Sequence, residues 1–168
     1  MSKAEYACKI DRSNIPTCNI LGIEIAAIDM QWLLKYVENN LESLSGGYIT
    51  VANVHTTVTA FEDEKYRKVQ NGAILAMPDG GPLSSVGRKR GYKMSRTTGP
   101  SFMGEIFAVS ASRGYRHFFY GSTTETLEKL KSDLEKNYPG IEIAGMYSPP
   151  FRPLYSEEDE EIVEKINA

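Results

Sequence analysis

One carboxylate in this chain sits where ligands are usually handled: Asp79, held between Pro78 and the pair Gly80-Gly81. The apolar run Ala73-Ile74-Leu75-Ala76-Met77 leads into Pro78. A short apolar run closed by turn residues reads as a strand buried on both faces of a parallel sheet. In open α/β sheets ligands bind just past the carboxyl ends of such strands, which is where Asp79 falls. The two glycines tolerate positive φ and let a ligand approach the backbone closely. Asp-Gly is also a common turn dipeptide, so the motif by itself fits a proton acceptor or a simple bend.

Other groups could serve the same edge. Asn53 and His55 follow a second β-rich run, Tyr48 to Asn53, and face the Asp79 edge if the two strands are neighbours. An Asn can read a sugar hydroxyl or a nucleobase edge, and a His can carry protons. Arg96 stands just before Thr97-Thr98-Gly99, where a guanidinium could clamp a diphosphate at the start of a helix. Gly121-Ser122-Thr123-Thr124 lies at a strand-to-helix junction, a place where backbone N–H groups favour a phosphate. Ser122 and Glu125 also match a capping box, so a capping turn explains that loop equally well. His117 falls inside a strand and reads as structural. Two histidines and two cysteines at these spacings make no metal site, and no cofactor is called for.

The elements that must position these groups alternate along the chain. Residues 1–18 are polar and read as an irregular arm, and Ile20 to Ile25 as a strand or hairpin around Gly22. Asp29 is placed as an N-cap, with Met30, Leu33, Leu34, Val37, Leu41 and Leu44 at helical spacing up to Gly46-Gly47. After the Tyr48 strand a helix is expected with Val54, Val58, Phe61 and Val69 inward. The Asp79 strand then completes a βαβ unit, which makes the pair parallel and right-handed. Pro82 to Arg90 reads as a short helix, and Gly99-Pro100-Ser101 opens a long one ending at Gly114. Tyr115 to Tyr120 and Ile141 to Tyr147 read as strands, with Leu127, Leu130 and Leu134 carrying the helix between them. Ser156 is placed as the cap of an acidic final helix. Trp32 and the methionines fit core positions. The order predicts a doubly wound, mostly parallel α/β sheet, Rossmann-like, with helices on both faces, over a single domain 19–168.

Composition narrows the class. The 168 residues carry a net charge of −3, with 41% apolar and 24% charged residues, ordinary values for a globular domain and no pull toward nucleic acid. Five bases (Arg88, Lys89, Arg90, Lys93, Arg96) follow the Asp79 loop, which makes a phosphorylated substrate or an anionic membrane surface a candidate partner. Cys8 and Cys18 have no disulfide or zinc spacing, as in a reducing compartment. No signal peptide and no run of about 18 apolar residues is evident, so a cytoplasmic location is expected.

The ordered set of fragments resembles the WecG/TagA/CpsF glycosyltransferases (glycosyltransferase family 26). The matching pieces are Thr50-Val51-Ala52-Asn53, Pro78-Asp79-Gly80, Arg96 with Gly99, and Phe118-Phe119-Tyr120-Gly121-Ser122. Tyr138-Pro139-Gly140, Ile143-Ala144-Gly145 and Ser148-Pro149-Pro150-Phe151 complete the set. The resemblance implies inverting transfer of an N-acetylhexosamine, typically N-acetylmannosamine, from UDP to an undecaprenyl-diphosphate-linked sugar. That places the chain in cell-surface polysaccharide or teichoic acid synthesis at the inner membrane surface, with no catalytic metal. By position it makes Asp79 the general base and Arg96 a phosphate ligand. Asn53, His55, Gly80, Gly81, Gly99, Gly121 and Ser122 become substrate-binding positions. This chain has Val51 where the family usually has Thr, and Ser101 where it usually has an acid. The family's Gly-x-Pro-Lys-Gln-Glu segment and membrane-associating appendage have no counterpart here. A non-catalytic nucleotide-sugar-binding or subunit-association module is therefore the alternative, and the open sheet edge makes a homo-oligomer a candidate state.

Overall fold

The computed structural model describes residues 11–167; Cys8 and the start of the expected arm lie outside them. The chain forms two compact units, one ending at Glu105 and the other beginning at Ile106.

The first unit starts with a hairpin, β1 (Thr17–Ile20) and β2 (Ile23–Ala26). Leu21 and Gly22 turn it with φ of 53° and 84°, the paired positive values that suit the twist of a two-residue hairpin loop. Next come α1 (Met30–Asn40), β3 (Ile49–Ala52), α2 (Val54–Glu62), α3 (Glu64–Gly72), β4 (Leu75–Pro78) and α4 (Gly81–Lys89). Asp29 caps α1 as expected, its carboxylate accepting from the Trp32 N–H at 2.8 Å. The helix gives way to a 3-10 turn, Leu41–Leu44, before Gly46.

The sheet order is β1-β2-β4-β3, with β2, β4 and β3 parallel. The chain steps from β2 out to β3, then back to β4. Two right-handed crossovers in opposite directions put α1 on one face and α2–α3 on the other. The sheet is thus mostly parallel with helices on both faces, the predicted Rossmann-like architecture. β4 lies between two strands and under both helix layers, so Leu75 to Pro78 are all buried. Cys18, Ile20, Ile23, Ile25, Ala52 and Ala76 form the centre of the core with Leu83 and Met94.

Three expectations fail here, each for a local reason. The helix after β3 breaks at Asp63, whose carboxylate accepts from the N–H groups of Lys65 and Tyr66 and starts α3 anew. Val54, Val58, Phe61 and Val69 point outward and are exposed, while Thr57 and Ala60 face the sheet. The 3.6-residue period marks a stripe, but small residues let α2 lie close to the strands and win the inner side. Trp32 is half-buried and stacks on Tyr36, ring centroids 4.9 Å apart. Met103 is exposed, whereas Met77 and Met94 are buried.

Gly87 of α4 makes a stability prediction. A Cβ there would lie 2.1 Å from the Sδ and 3.1 Å from the Cβ of Met94, which is itself buried. Overpacking of this kind costs about 1–3 kcal/mol, against about 1 kcal/mol that Ala gains over Gly in a helix. Gly87→Ala is therefore expected to lower the urea midpoint, at a net cost of up to about 2 kcal/mol; an unchanged midpoint would show that the Met94 segment yields freely.

The second unit has β5 (Arg116–Tyr120) parallel to β6 (Glu142–Tyr147), with α6 (Thr124–Asn137) between them in sequence and α7 (Ser156–Asn167) at the end. The helix α5 (Gly99–Arg113) crosses the boundary and brings Phe107 and Ser110 to this unit's buried side. Phe107 meets His117, Phe119 and Tyr138 edge-on. His117 is structural, as expected. The Ser110 hydroxyl donates to the Ile106 carbonyl at 2.6 Å and lies 2.7 Å from His117 Nε2, so the imidazole is the donor in that second contact. Ser156 does not cap α7. Instead Glu158 reaches back to accept from the Tyr155 N–H at 2.9 Å, and Arg152 pairs with the same carboxylate at 2.8 and 2.6 Å.

These two groups give the unit two separate stability losses in acid. Burial holds the His117 imidazole below its usual range, so the unfolded chain takes up that proton first. Its contribution to stability is whole above about 6.5 and is lost as pH falls below that value. The Arg152 bond, with the Tyr155 N–H behind it, holds Glu158 down at about 2. That contribution is present above the ordinary carboxylate range and disappears as pH falls toward 2. Thermal unfolding is expected to show two separate acid-side losses. His117→Gln should remove the upper one and Glu158→Gln the lower; a single loss untouched by either change would refute both assignments.

Candidate active site at the carboxyl edge of the sheet

The first unit's site is built from three segments that meet past the ends of β3 and β4. Asp79 leaves β4 with its N–H donating to the Ala52 carbonyl at 2.9 Å, and the Gly80 N–H reaches the same oxygen at 3.3 Å. These bonds tie the Asp79 turn to the end of β3. Gly80 is the N-cap of α4, and a Cβ on it would stand 3.3 Å from Leu83 Cγ and 3.4 Å from Asn53 Cα. A glycine is needed for the two loops to approach so closely. Gly81 opens α4 with nothing within 4 Å of a Cβ, which leaves open space beside its backbone.

The third segment is the return from α4. The Ser95 N–H donates to the Ile28 carbonyl at 3.0 Å and the Thr97 N–H to the Pro78 carbonyl at 2.8 Å. Residues 95–97 thus cross the carboxyl ends of β2 and β4, with Thr97 wholly buried. Between these anchors Arg96 turns its side chain to Asp79. Its Nε donates to the Asp79 carbonyl at 2.9 Å, and Nη2 lies 3.9 Å from Oδ1. The Asp79 side chain is 23% exposed and that of Arg96 63%. An ion pair this long and wet holds about 0–1 kcal/mol. Its value is positional, because Nε alone is held by a hydrogen bond and the exposed guanidinium keeps N–H groups for a phosphate.

Of the 88–96 cluster, Arg96 serves this edge, whereas α4 runs away from Asp79 and leads Arg88 and Arg90 to other partners. Arg88 bonds the Met94 carbonyl at 3.0 Å and Ser85 at 3.2 Å, and Arg90 bonds the Asn19 carbonyl. These two hold structure.

The remaining sequence-derived positions divide. Asn53 sits at the site as the N-cap of α2, half-buried, its side-chain amide oxygen accepting from the Thr56 N–H at 3.0 Å. Gly99 starts α5, and a Cβ there would meet Val51 at 3.5 Å, so it supports the site by packing. His55 lies in the first turn of α2 and is exposed, with no described partner to orient its ring. Gly121 and Ser122 belong to the second unit. They take φ of 120° and 60°, and Ser148 Oγ donates to the Ser122 carbonyl at 2.7 Å. Ser122 does not cap α6: Thr123 does, accepting from the Thr126 N–H at 3.3 Å. The positive φ at Ser122 turns it away from the cap position one residue early. Sequence reasoning missed Thr56, though Asn53-x-x-Thr56 carries capping-box spacing. It also missed Thr97, for which no local signal exists. Among the described residues no three of His, Cys, Asp and Glu group as metal ligands do, and no helix is long and apolar enough to cross a membrane.

Residues 18–168 match the Glycosyl transferase WecG/TagA/CpsF family. An N-acetylglucosaminyldiphosphoundecaprenol N-acetyl-beta-D-mannosaminyltransferase of Bacillus spizizenii is 31% identical over 133 residues, 76% of this chain and 48% of the relative. A protein of the same name from Bacillus subtilis is 25% identical over 114 residues, 67% of this chain and 44% of the relative. The chain spans about half the length of these curated relatives. With a carboxylate, a guanidinium and an amide at the carboxyl edge of a parallel sheet, and a match across nearly its whole length, this chain belongs to the WecG/TagA/CpsF glycosyl transferase family.

Proposed function

We propose that this chain carries out an inverting transfer of N-acetylmannosamine from its UDP derivative to a polyprenyl-diphosphate-linked N-acetylglucosamine, at the cytoplasmic face of the membrane. The observation that supports it most is Asp79, a single partly exposed carboxylate at the end of β4, with Arg96 beside it and the Asn53 loop against it. Inversion needs one base on the face of the sugar opposite the leaving group. Asp79 takes the proton from the acceptor hydroxyl as that oxygen attacks the anomeric carbon. The bond from that carbon to the UDP oxygen breaks, and UDP leaves with the electron pair. No acid is required for a diphosphate leaving group; cations and N–H donors stabilise its charge. Arg96 is the cation for a diphosphate oxygen, Asn53 a donor in the pocket, and Gly80 and Gly81 leave their backbone approachable. His55 is a further substrate contact in this reading. The names of the Bacillus relatives support both sugar and acceptor.

The test is release of UDP from UDP-N-acetylmannosamine with and without a lipid-diphosphate-N-acetylglucosamine. Acceptor-dependent release is expected. UDP binding without release would leave a non-catalytic nucleotide-sugar module instead.

A further inference from the structure

Asn53 is more constrained than an ordinary pocket amide. Its backbone N–H donates to Thr56 Oγ1 at 2.9 Å, and its side-chain oxygen accepts from the Thr56 N–H at 3.0 Å. Its carbonyl accepts from Thr57 Oγ1 at 2.7 Å and from the Thr57 N–H at 3.0 Å. The Thr56 hydroxyl also reaches that carbonyl, at 3.2 Å. The Gly80 backbone lies close behind it, near enough that a Cβ on Gly80 would stand 3.4 Å from Asn53 Cα. Every polar group of Asn53 is committed except Nδ2.

The orientation of that amide is settled by chemistry. A main-chain N–H can only donate, so the side-chain atom facing Thr56 N must be the oxygen. A flipped amide would set its own N–H groups against that donor and lose the helix cap. The capping box therefore locks the carboxamide with its two N–H groups turned away from the helix end.

We propose that Thr56 is a positioning residue for substrate binding: it fixes Asn53 as a pure donor, and the ligand group Asn53 meets is an oxygen acceptor. The inference rests on the transfer reading above and adds what that site selects. A sugar oxygen, an N-acetyl carbonyl or a phosphate oxygen satisfies it, whereas a ligand N–H at that point meets only donors. Leaving a buried partner unmatched costs more than the bond contributes, so the arrangement discriminates as well as binds.

Two substitutions separate the parts. Asn53→Asp keeps an oxygen for the Thr56 N–H and is a good cap, but replaces the donor pair with a second acceptor. Thr56→Val removes the hydroxyl that holds the Asn53 N–H, and Thr56→Ser returns it. The experiment combines UDP and UDP-N-acetylmannosamine binding, melting temperature, and the Asn53 side-chain NH2 signals in a 15N NMR spectrum, assigned by their loss in Asn53→Asp. Asn53→Asp is expected to melt no lower than wild type while binding the UDP-sugar about tenfold or more weakly. Thr56→Val should weaken binding in the same direction and broaden the Asn53 NH2 pair, and Thr56→Ser should restore both. A shift of that pair by UDP alone assigns the acceptor to the nucleotide; a shift by the UDP-sugar only assigns it to the sugar. Binding that moves the pair without acceptor-dependent UDP release overturns the transfer reading and leaves the inference standing. UDP-sugar binding with the pair unmoved, or equal binding by Asn53→Asp, overturns the inference alone. No binding by wild type overturns both.

Discussion

Replacing Asp79 with Asn should leave a folded protein that binds UDP normally and transfers sugar about 10²–10⁴-fold more slowly, the range a positioned general base contributes. The fold should not notice the change, because the turn is held by the Asp79 and Gly80 N–H groups on the Ala52 carbonyl and by Arg96 on the Asp79 carbonyl. None of these uses the carboxylate. The amide is isosteric and cannot accept the acceptor's proton, so kcat should carry the loss. A variant with undiminished kcat would remove Asp79 from the chemistry; a variant with a lower melting temperature would mean the carboxylate is part of the scaffold after all.

Arg96 gives the second large effect and a different signature. Arg96→Ala removes both the bond to the Asp79 carbonyl and the N–H groups open to a diphosphate. Loss of a preorganised group that stabilises developing charge costs about 10²–10³-fold in rate. With the substrate's own charge also left unmatched, KM should rise as kcat falls. Lysine should not rescue it. A single ammonium cannot bond the Asp79 carbonyl and present a planar fork to phosphate at once. Steady-state kinetics of the Ala and Lys variants, with melting temperatures as a control, check this. A Lys variant near wild type would reduce Arg96 to a point charge.

The site's individual parts were legible because their signals are local. A buried run closed by Pro78-Asp79-Gly80 marks a strand end, Asp29 marks a helix start three residues before the N–H it caps, and Gly22 marks a hairpin. Each is decided within a few residues, and each is found in the structure. What failed depends on partners far away in sequence. The five bases after the Asp79 loop read as one cluster, yet Arg96 returns to Asp79 while Arg90 holds the β1–β2 hairpin through Asn19. The stripe Val54-Val58-Phe61 has the right period, but which side of α2 is buried follows from how closely Thr57 and Ala60 allow it to approach the sheet. The capping pair Asn53–Thr56 lies between the two cases: its spacing is a local signal, and in the structure Thr56 answers it.

The most direct measurement is the structure of the product. The chain would be incubated with UDP-N-acetylmannosamine and a lipid-diphosphate-N-acetylglucosamine, and the anomeric configuration of any new linkage read by NMR. A disaccharide whose linkage is opposite in configuration to that of the donor is the predicted result, as a single base at Asp79 requires. A linkage of the donor's own configuration, or no disaccharide while UDP still binds, would contradict it.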